Sequence, residues 1–269
     1  MKRLFGAAAL LLALTACTPD DAEPAAALDC EAGRFTQVPE AAIGDYTYTA
    51  AFQCPEADAL LPTVIVLHGM PSSGAMVRGT SNMDTLAEEA GFLAVYPSNP
   101  ANEWDAQAAG DDAAFLSDLI DELVAEHGAD PERIYLTGFS NGGDMTLAAA
   151  VGLGDRLAGA AVVVPAGTHD TLAQVEGLQT PIPLAAFVGT SDPRTEGRAV
   201  LEAWREQGSC AAAEQTSGGG FARASWTCAG DVPMVEYQVD GGHVWFGTPG
   251  AADGIWASAE IWDFFTALE

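Results

Sequence analysis

Three features of this sequence predict an α/β fold, a mostly parallel central sheet with helices on both faces, built as a single domain. Short apolar, β-branched runs alternate along the chain with segments of helical character. Several of those runs are apolar throughout, as strands buried on both faces require. After residue 30 there is no internal repeat, long linker or shift in composition, and 269 residues with 49% hydrophobic side chains can bury one large core.

The elements follow in order. Residues 46–52 alternate aromatic and small side chains, the pattern of a half-buried strand, and 63–67 form a continuous apolar run, a buried parallel strand. Helix is predicted over 82–90, strand over 92–96, helix over 113–126, strand over 133–137 and helix over 141–151. Strands at 160–164 and 184–188, a helix at 198–207, a strand at 235–239 and a last helix from about 252 to 268 complete the series. Ser217-Gly218-Gly219-Gly220 predicts the tip of a hairpin.

The 38 acidic against 10 basic residues give a formal charge of −28, which repels phosphate backbones and anionic lipid headgroups. No nucleic-acid partner is expected. Membrane association is expected only through a lipid. Residues 1–16 read as a lipoprotein-type signal: Met1-Lys2-Arg3 is positive, the 11 residues that follow are apolar, and Leu14-Thr15-Ala16-Cys17 ends the segment. Eleven residues are too few for a membrane span, which takes about 20. The last four resemble a bacterial lipoprotein signal, in which Cys17 is lipidated and becomes the first residue; plain secretion is the alternative. Residues 17–29 then form the lipidated cysteine and a Pro/Ala/acid-rich tether, and 30–269 the catalytic domain. The expected location is the cell surface or periplasm as a lipoprotein, or the extracellular space.

Cys30, Cys54, Cys210 and Cys228 make an even number in an exported chain, so disulfides are expected. Three pairings are possible. Locality favours Cys30–Cys54 and Cys210–Cys228, each closing a loop for about 3 kcal/mol. None has metal-site spacing, and no metal or cofactor is expected.

Gly138-Phe139-Ser140-Asn141-Gly142 stands between a predicted strand and a predicted helix, the setting of a nucleophile elbow. A serine on so sharp a turn needs glycine two positions to either side, where a Cβ would meet strand or helix. Ser140 needs a base, and the chain has 4 histidines. His127 suits a helix C-terminus, favoured there by the helix dipole. His68 ends the first buried strand and is expected to hold its loop. His169 follows the strand after the elbow. His243 follows the last strand and alone satisfies the order Ser, acid, His. The acid expected between them is Asp192, at the end of the strand 184–188, with Asp170 as its rival one strand earlier. It would hold the imidazole in the right tautomer. Oxyanion donors are expected from the N–H of Asn141 and from the loop after the first buried strand, where Pro71 has none and Met70 is preferred over Gly69. Trp245 and Phe246, beside the base, are expected to offer an aromatic platform to substrate.

Leu67-His68-Gly69, Gly110-Asp111-Asp112-Ala113-Ala114-Phe115-Leu116, the stretch Asp130-Pro131-Glu132-Arg133 with the elbow that follows it, and Gly241-Gly242-His243-Val244-Trp245 together resemble the polyhydroxybutyrate depolymerase and feruloyl esterase-like group of secreted α/β-hydrolases. The resemblance runs from about residue 45 to the C-terminus. It implies the α/β-hydrolase fold, a serine carboxylesterase with Ser140, Asp192 and His243 as triad, no cofactor, and a structural role for Asp111 and Asp112. Two adjacent carboxylates pointing apart also make a poor hard-metal site. The chain departs from the group at Val188, where histidine is frequent, and at Val244-Trp245-Phe246-Gly247, where Thr-Trp-Pro-Gly is frequent. Soluble or oligomeric esters are the expected substrates, among them hydroxyalkanoate oligomers and feruloyl or acetyl esters. A serine peptidase on the same fold and a non-catalytic surface lipoprotein are the alternatives.

Overall fold

The computed structural model describes residues 30–56, 59–211, 214–218, 220–249 and 254–269. The expected signal, Cys17 and the tether lie outside the described residues.

The strands are β1 (Phe35–Ile43), β2 (Tyr46–Gln53), β3 (Leu61–Leu67), β4 (Leu93–Ser98), β5 (Ala129–Phe139), β6 (Gly159–Val163), β7 (Leu184–Gly189), β8 (Glu214–Gly218), β9 (Phe221–Cys228) and β10 (Val232–Val239). They form one sheet in the order β1-β2-β4-β3-β5-β6-β7-β10-β9-β8. From β4 through β10 the neighbours are parallel; β1, β2, β9 and β8 pair antiparallel at the two edges. The parallel pairs need crossovers, which the helices supply. These are α1 (Gly74–Ser81), α2 (Met83–Ala90), α3 (Asp111–Glu126), α4 (Asn141–Gly152), α5 (His169–Val175), α6 (Glu196–Gln207) and α7 (Ala257–Thr266).

The continuous apolar runs are explained by burial on both faces. In β3, Ile65 and Leu67 enter one core with Leu119 of α3, Met145 of α4 and Trp204 of α6. Val64 and Val66 point the other way, into a core with Met83 of α2 and Ile261 and Phe265 of α7. All four β3 side chains are at most 1% exposed, and each such burial stabilises by roughly 1.5–3 kcal/mol.

The expected single-domain α/β architecture is what the structure has. Every predicted strand and helix has its counterpart, most within a few residues. The last helix begins at Ala257 rather than near 252. Three elements were not foreseen. β1 is a half-exposed edge strand, α1 is a glycine-containing helix whose Gly74 lies against the carbonyls of Tyr96 and Pro97, and α5 is a single short helix. The expected hairpin forms between β8 and β9, with Gly218 opposite Phe221. The disulfides are Cys30–Cys54 and Cys210–Cys228, the local pairing.

Candidate active site

Ser140 is the N-cap of α4, at φ 54°, ψ −118°. A left-handed backbone on a non-glycine residue costs about 1–3 kcal/mol. It is held from both sides: its N–H donates to the Val163 carbonyl at 3.0 Å, and its carbonyl accepts the N–H groups of Asp144 and Ala166. The flanking glycines are steric necessities. A Cβ on Gly138 would stand 2.1 Å from the Gly142 carbonyl oxygen, and one on Gly142 would stand 2.4 Å from that of His68.

Asp192 and His243 arrive from the adjacent parallel strands β7 and β10, whose C-terminal ends lie side by side. Their loops are bonded together: Thr190 N–H donates to the Val239 carbonyl at 2.9 Å and Ser191 N–H to that of Gly241 at 2.8 Å. His243 Nδ1 lies 2.6 Å from Asp192 Oδ2, and its Nε2 lies 2.8 Å from Ser140 Oγ. Burial alone would raise the Asp192 carboxyl. The Arg194 N–H, donated to its Oδ1 at 3.0 Å, the bond to His243 and the charges of His243 and Arg194 outweigh burial and hold it below the usual range. An ionised Asp192 accepts only, so a neutral His243 carries its proton on Nδ1 and turns a bare Nε2 to the serine hydroxyl. Such a chain can draw a proton off Ser140. Asp170, the rival acid, is exposed in the first turn of α5, as is His169 beside it.

The supporting shell lies mostly in the loop after β4. His68 is fully buried; Asn99 N–H donates to its Nε2 at 3.3 Å, so Nδ1–H donates to the Gly69 carbonyl at 2.8 Å. Burial lowers its pKa and keeps it neutral. His68 thus holds the loop, as expected. Asn141 is bonded reciprocally to Trp104 through its side-chain amide, accepting at 2.7 Å and donating at 3.0 Å, while Trp104 Nε1–H donates to the His68 carbonyl. Asp112 is 2% exposed and accepts from Tyr46 Oη, Asn99 Nδ2 and the Asp105 N–H. With both oxygens so engaged, it is an anchor for that loop. His127 caps α3 and bonds Tyr48 Oη at 3.0 Å; burial lowers its pKa, so it is a neutral partner and not the charged complement to a helix dipole expected from sequence. Among the described residues no group of three or more His, Cys, Asp or Glu is placed to hold a metal.

Ser140 and His243 open onto a cavity of about 220 Å³ whose walls include Gly69, Met70, Met76, Phe139 and Arg194. Met70 and Met76 are 57% and 64% exposed. Trp245 and Phe246 do not line it. Contrary to expectation they are core residues, 6% and 4% exposed. The chain turns inward after His243, and Trp245 Nε1–H donates to Ser258 Oγ, which donates to the Ser81 carbonyl, pinning α7 to α1. The residue beside the base that faces outward is Val244, 51% exposed. Arg194, on the cavity wall, was missed; the signal available was an arginine two positions after the acid in an arginine-poor chain.

Comparison with known proteins finds esterases among the proteins the chain is similar to. The bifunctional acetylxylan esterase/xylanase XynS20E of Neocallimastix patriciarum is 30% identical over 154 residues, 55% of this chain and 22% of that protein. Feruloyl esterase B of Neurospora crassa is 30% identical over 178 residues, 57% of this chain and 59% of that protein. The chain therefore spans from about a fifth to under two thirds of the length of these relatives. The structure of an acetyl xylan esterase from Aspergillus awamori superposes with a TM-score of 0.65 at 18% identity, covering 87% of this chain and 99% of that one. At that identity the likeness establishes the α/β-hydrolase fold. Residues 47–176, which carry the elbow and stop short of Asp192 and His243, match the family described as Esterase PHB depolymerase.

Proposed function

We propose that this protein is a serine carboxylic-ester hydrolase working through an acyl-enzyme. The observation that carries the reading is the unbroken hydrogen-bond chain from Asp192 through His243 to Ser140, ending at an open cleft. Ser140 Oγ attacks the ester carbonyl while His243 Nε2 takes its proton. The backbone N–H of Asn141, in the first turn of α4 where helix N–H groups lack intrahelical partners, and that of Met70 receive the oxyanion. His243 then gives its proton to the departing alcohol. Water, deprotonated by the same imidazole, releases the acid and restores Ser140. Asp192 keeps the imidazole oriented and stabilises the imidazolium.

The substrates proposed are soluble or oligomeric esters, hydroxyalkanoate oligomers and feruloyl or acetyl esters among them; the relatives' names and the open cleft support this class. Export is part of the reading, supported by two disulfides, with attachment through a lipid on Cys17. Among the described residues no helix is long and apolar enough to cross a membrane.

The test is hydrolysis of p-nitrophenyl acyl esters, methyl ferulate and 3-hydroxybutyrate oligomers by residues 18–269, beside the Ser140→Ala variant and a fluorophosphonate label. Turnover and labelling by the wild type alone are expected. A folded wild type inert to both would return the chain to the non-catalytic alternative.

A further inference from the structure

The eight arginines from Arg34 to Arg223 are nearly all engaged. Arg34, Arg78, Arg133, Arg156 and Arg205 form ion pairs. Arg198 donates to the Gly189 carbonyl and Arg223 to Tyr237 Oη. The exception is Arg194. Among the described residues its guanidinium makes no hydrogen bond or ion pair, although Asp192 and Glu196 are two residues to either side. The Asp192 carboxylate is spoken for by His243 and by the Arg194 backbone N–H.

Arg194, whose charge also acts on Asp192, is on the wall of the cavity that holds Ser140 and His243, and no acidic side chain shares that wall. In a chain of formal charge −28, a cleft whose one permanent charge is positive is not what the composition would give. The same wall carries Met70 and Met76, both largely exposed. A planar guanidinium matches a carboxylate through two parallel N–H donors, and thioether side chains accept aliphatic chains without demanding one shape.

Resting on the esterase reading above, we infer that Arg194 is a specificity-determining residue that binds a free carboxylate on the substrate. The preferred esters are then aliphatic and carry an anionic end, as do half-esters of dicarboxylic acids and hydroxyacid oligomers. The cleavage itself is unchanged: the acyl–oxygen bond breaks as water adds, and the distal carboxylate keeps its charge.

The experiment compares mono-p-nitrophenyl adipate with p-nitrophenyl hexanoate, which share leaving group and chain length and differ in the terminal charge. The wild type is expected to favour adipate in kcat/KM, chiefly through KM. In Arg194→Ala the adipate-to-hexanoate ratio is expected to fall about tenfold or more, the worth of a charge-assisted hydrogen bond. Arg194→Lys should keep part of the preference and Arg194→Glu should lower the ratio further. Using the ratio cancels any effect of Arg194 on catalysis through Asp192. A ratio unchanged within twofold in Arg194→Ala overturns the assignment while leaving the esterase reading intact. A wild type silent on both esters overturns the esterase reading instead. Calorimetric binding of monomethyl adipate against methyl hexanoate then decides Arg194: loss of a charge preference in Arg194→Ala supports it, and equal binding by wild type and variant removes it.

Discussion

The Asp144 carboxylate accepts the Gly167 N–H at 2.9 Å, joining the first turn of α4, just behind the nucleophile elbow, to the loop that follows β6. Asp144 is wholly buried, and its Oδ2 has no partner among the described residues. Burial, only partly offset by the N–H groups of the 166–168 loop and the Thr171 hydroxyl, lifts its pKa to about 6. The folded chain therefore holds a proton that the unfolded chain has released above about pH 4. Stability is expected to fall as pH rises from about 4 to 6, by about 3 kcal/mol from this group, and to level off above. Asp144→Asn lacks this dependence. Urea unfolding at pH 4.5 and 7.5 is expected to show the variant gaining on the wild type at the higher pH; a pH-independent difference would remove Asp144 as the cause.

Asp192→Asn is expected to lower kcat by about four orders of magnitude, since an amide can favour the wrong imidazole tautomer. Asp170→Asn, at an exposed helix position, is expected to leave kcat within about twofold. Steady-state kinetics on one p-nitrophenyl ester checks both, and a reversed ranking would move the acid one strand back.

Gly142→Ala forces a Cβ to within 2.4 Å and 2.6 Å of the His68 and Leu67 carbonyl oxygens, both backbone. A loss of about 3 kcal/mol or more is expected, because neither atom can swing aside. Gly79, inside α1, has nothing within 4 Å of the same position, and Gly79→Ala is expected to gain about 0.5–1 kcal/mol. Thermal melts of the two variants should shift in opposite directions.

Cys210 and Cys228 are 18 residues apart and Cys30 and Cys54 are 24 apart, so opening either bridge is expected to cost about 3 kcal/mol. Paired Ser substitutions followed by chemical denaturation measure each separately. Opening the Cys210–Cys228 bridge, far along the sheet from Ser140, is expected to spare the ester-hydrolysis rate of the folded fraction.

Much of this was readable in advance because the strongest signals are local. Strands such as β3 and β7, covered on both faces, spell themselves as unbroken apolar runs. Ser140, Asp192 and His243 each stand at a strand end in a fixed chain order. β1 is harder to read: its sequence FTQVPEAAI carries a proline and leaves alternate side chains in water. The helix α1 has two glycines and a serine, and forms because Gly74 can approach β4. Trp245 and Phe246 were misplaced for a different reason. Adjacency to His243 along the chain says nothing about direction, and after the histidine the backbone turns into the α7 core. Arg194 went unread because its significance lies in the partners it lacks.

Ser140 and His243 are separated by 103 residues. At a ribosomal rate of about 5–20 residues per second, roughly 5–20 seconds pass between the synthesis of the nucleophile and that of its base. Throughout that interval Ser140 is an ordinary alcohol. On the proposed esterase reading, reactivity is acquired only when β10 docks beside β7 and carries the imidazole across, so the act of finishing the sheet is also what arms the serine.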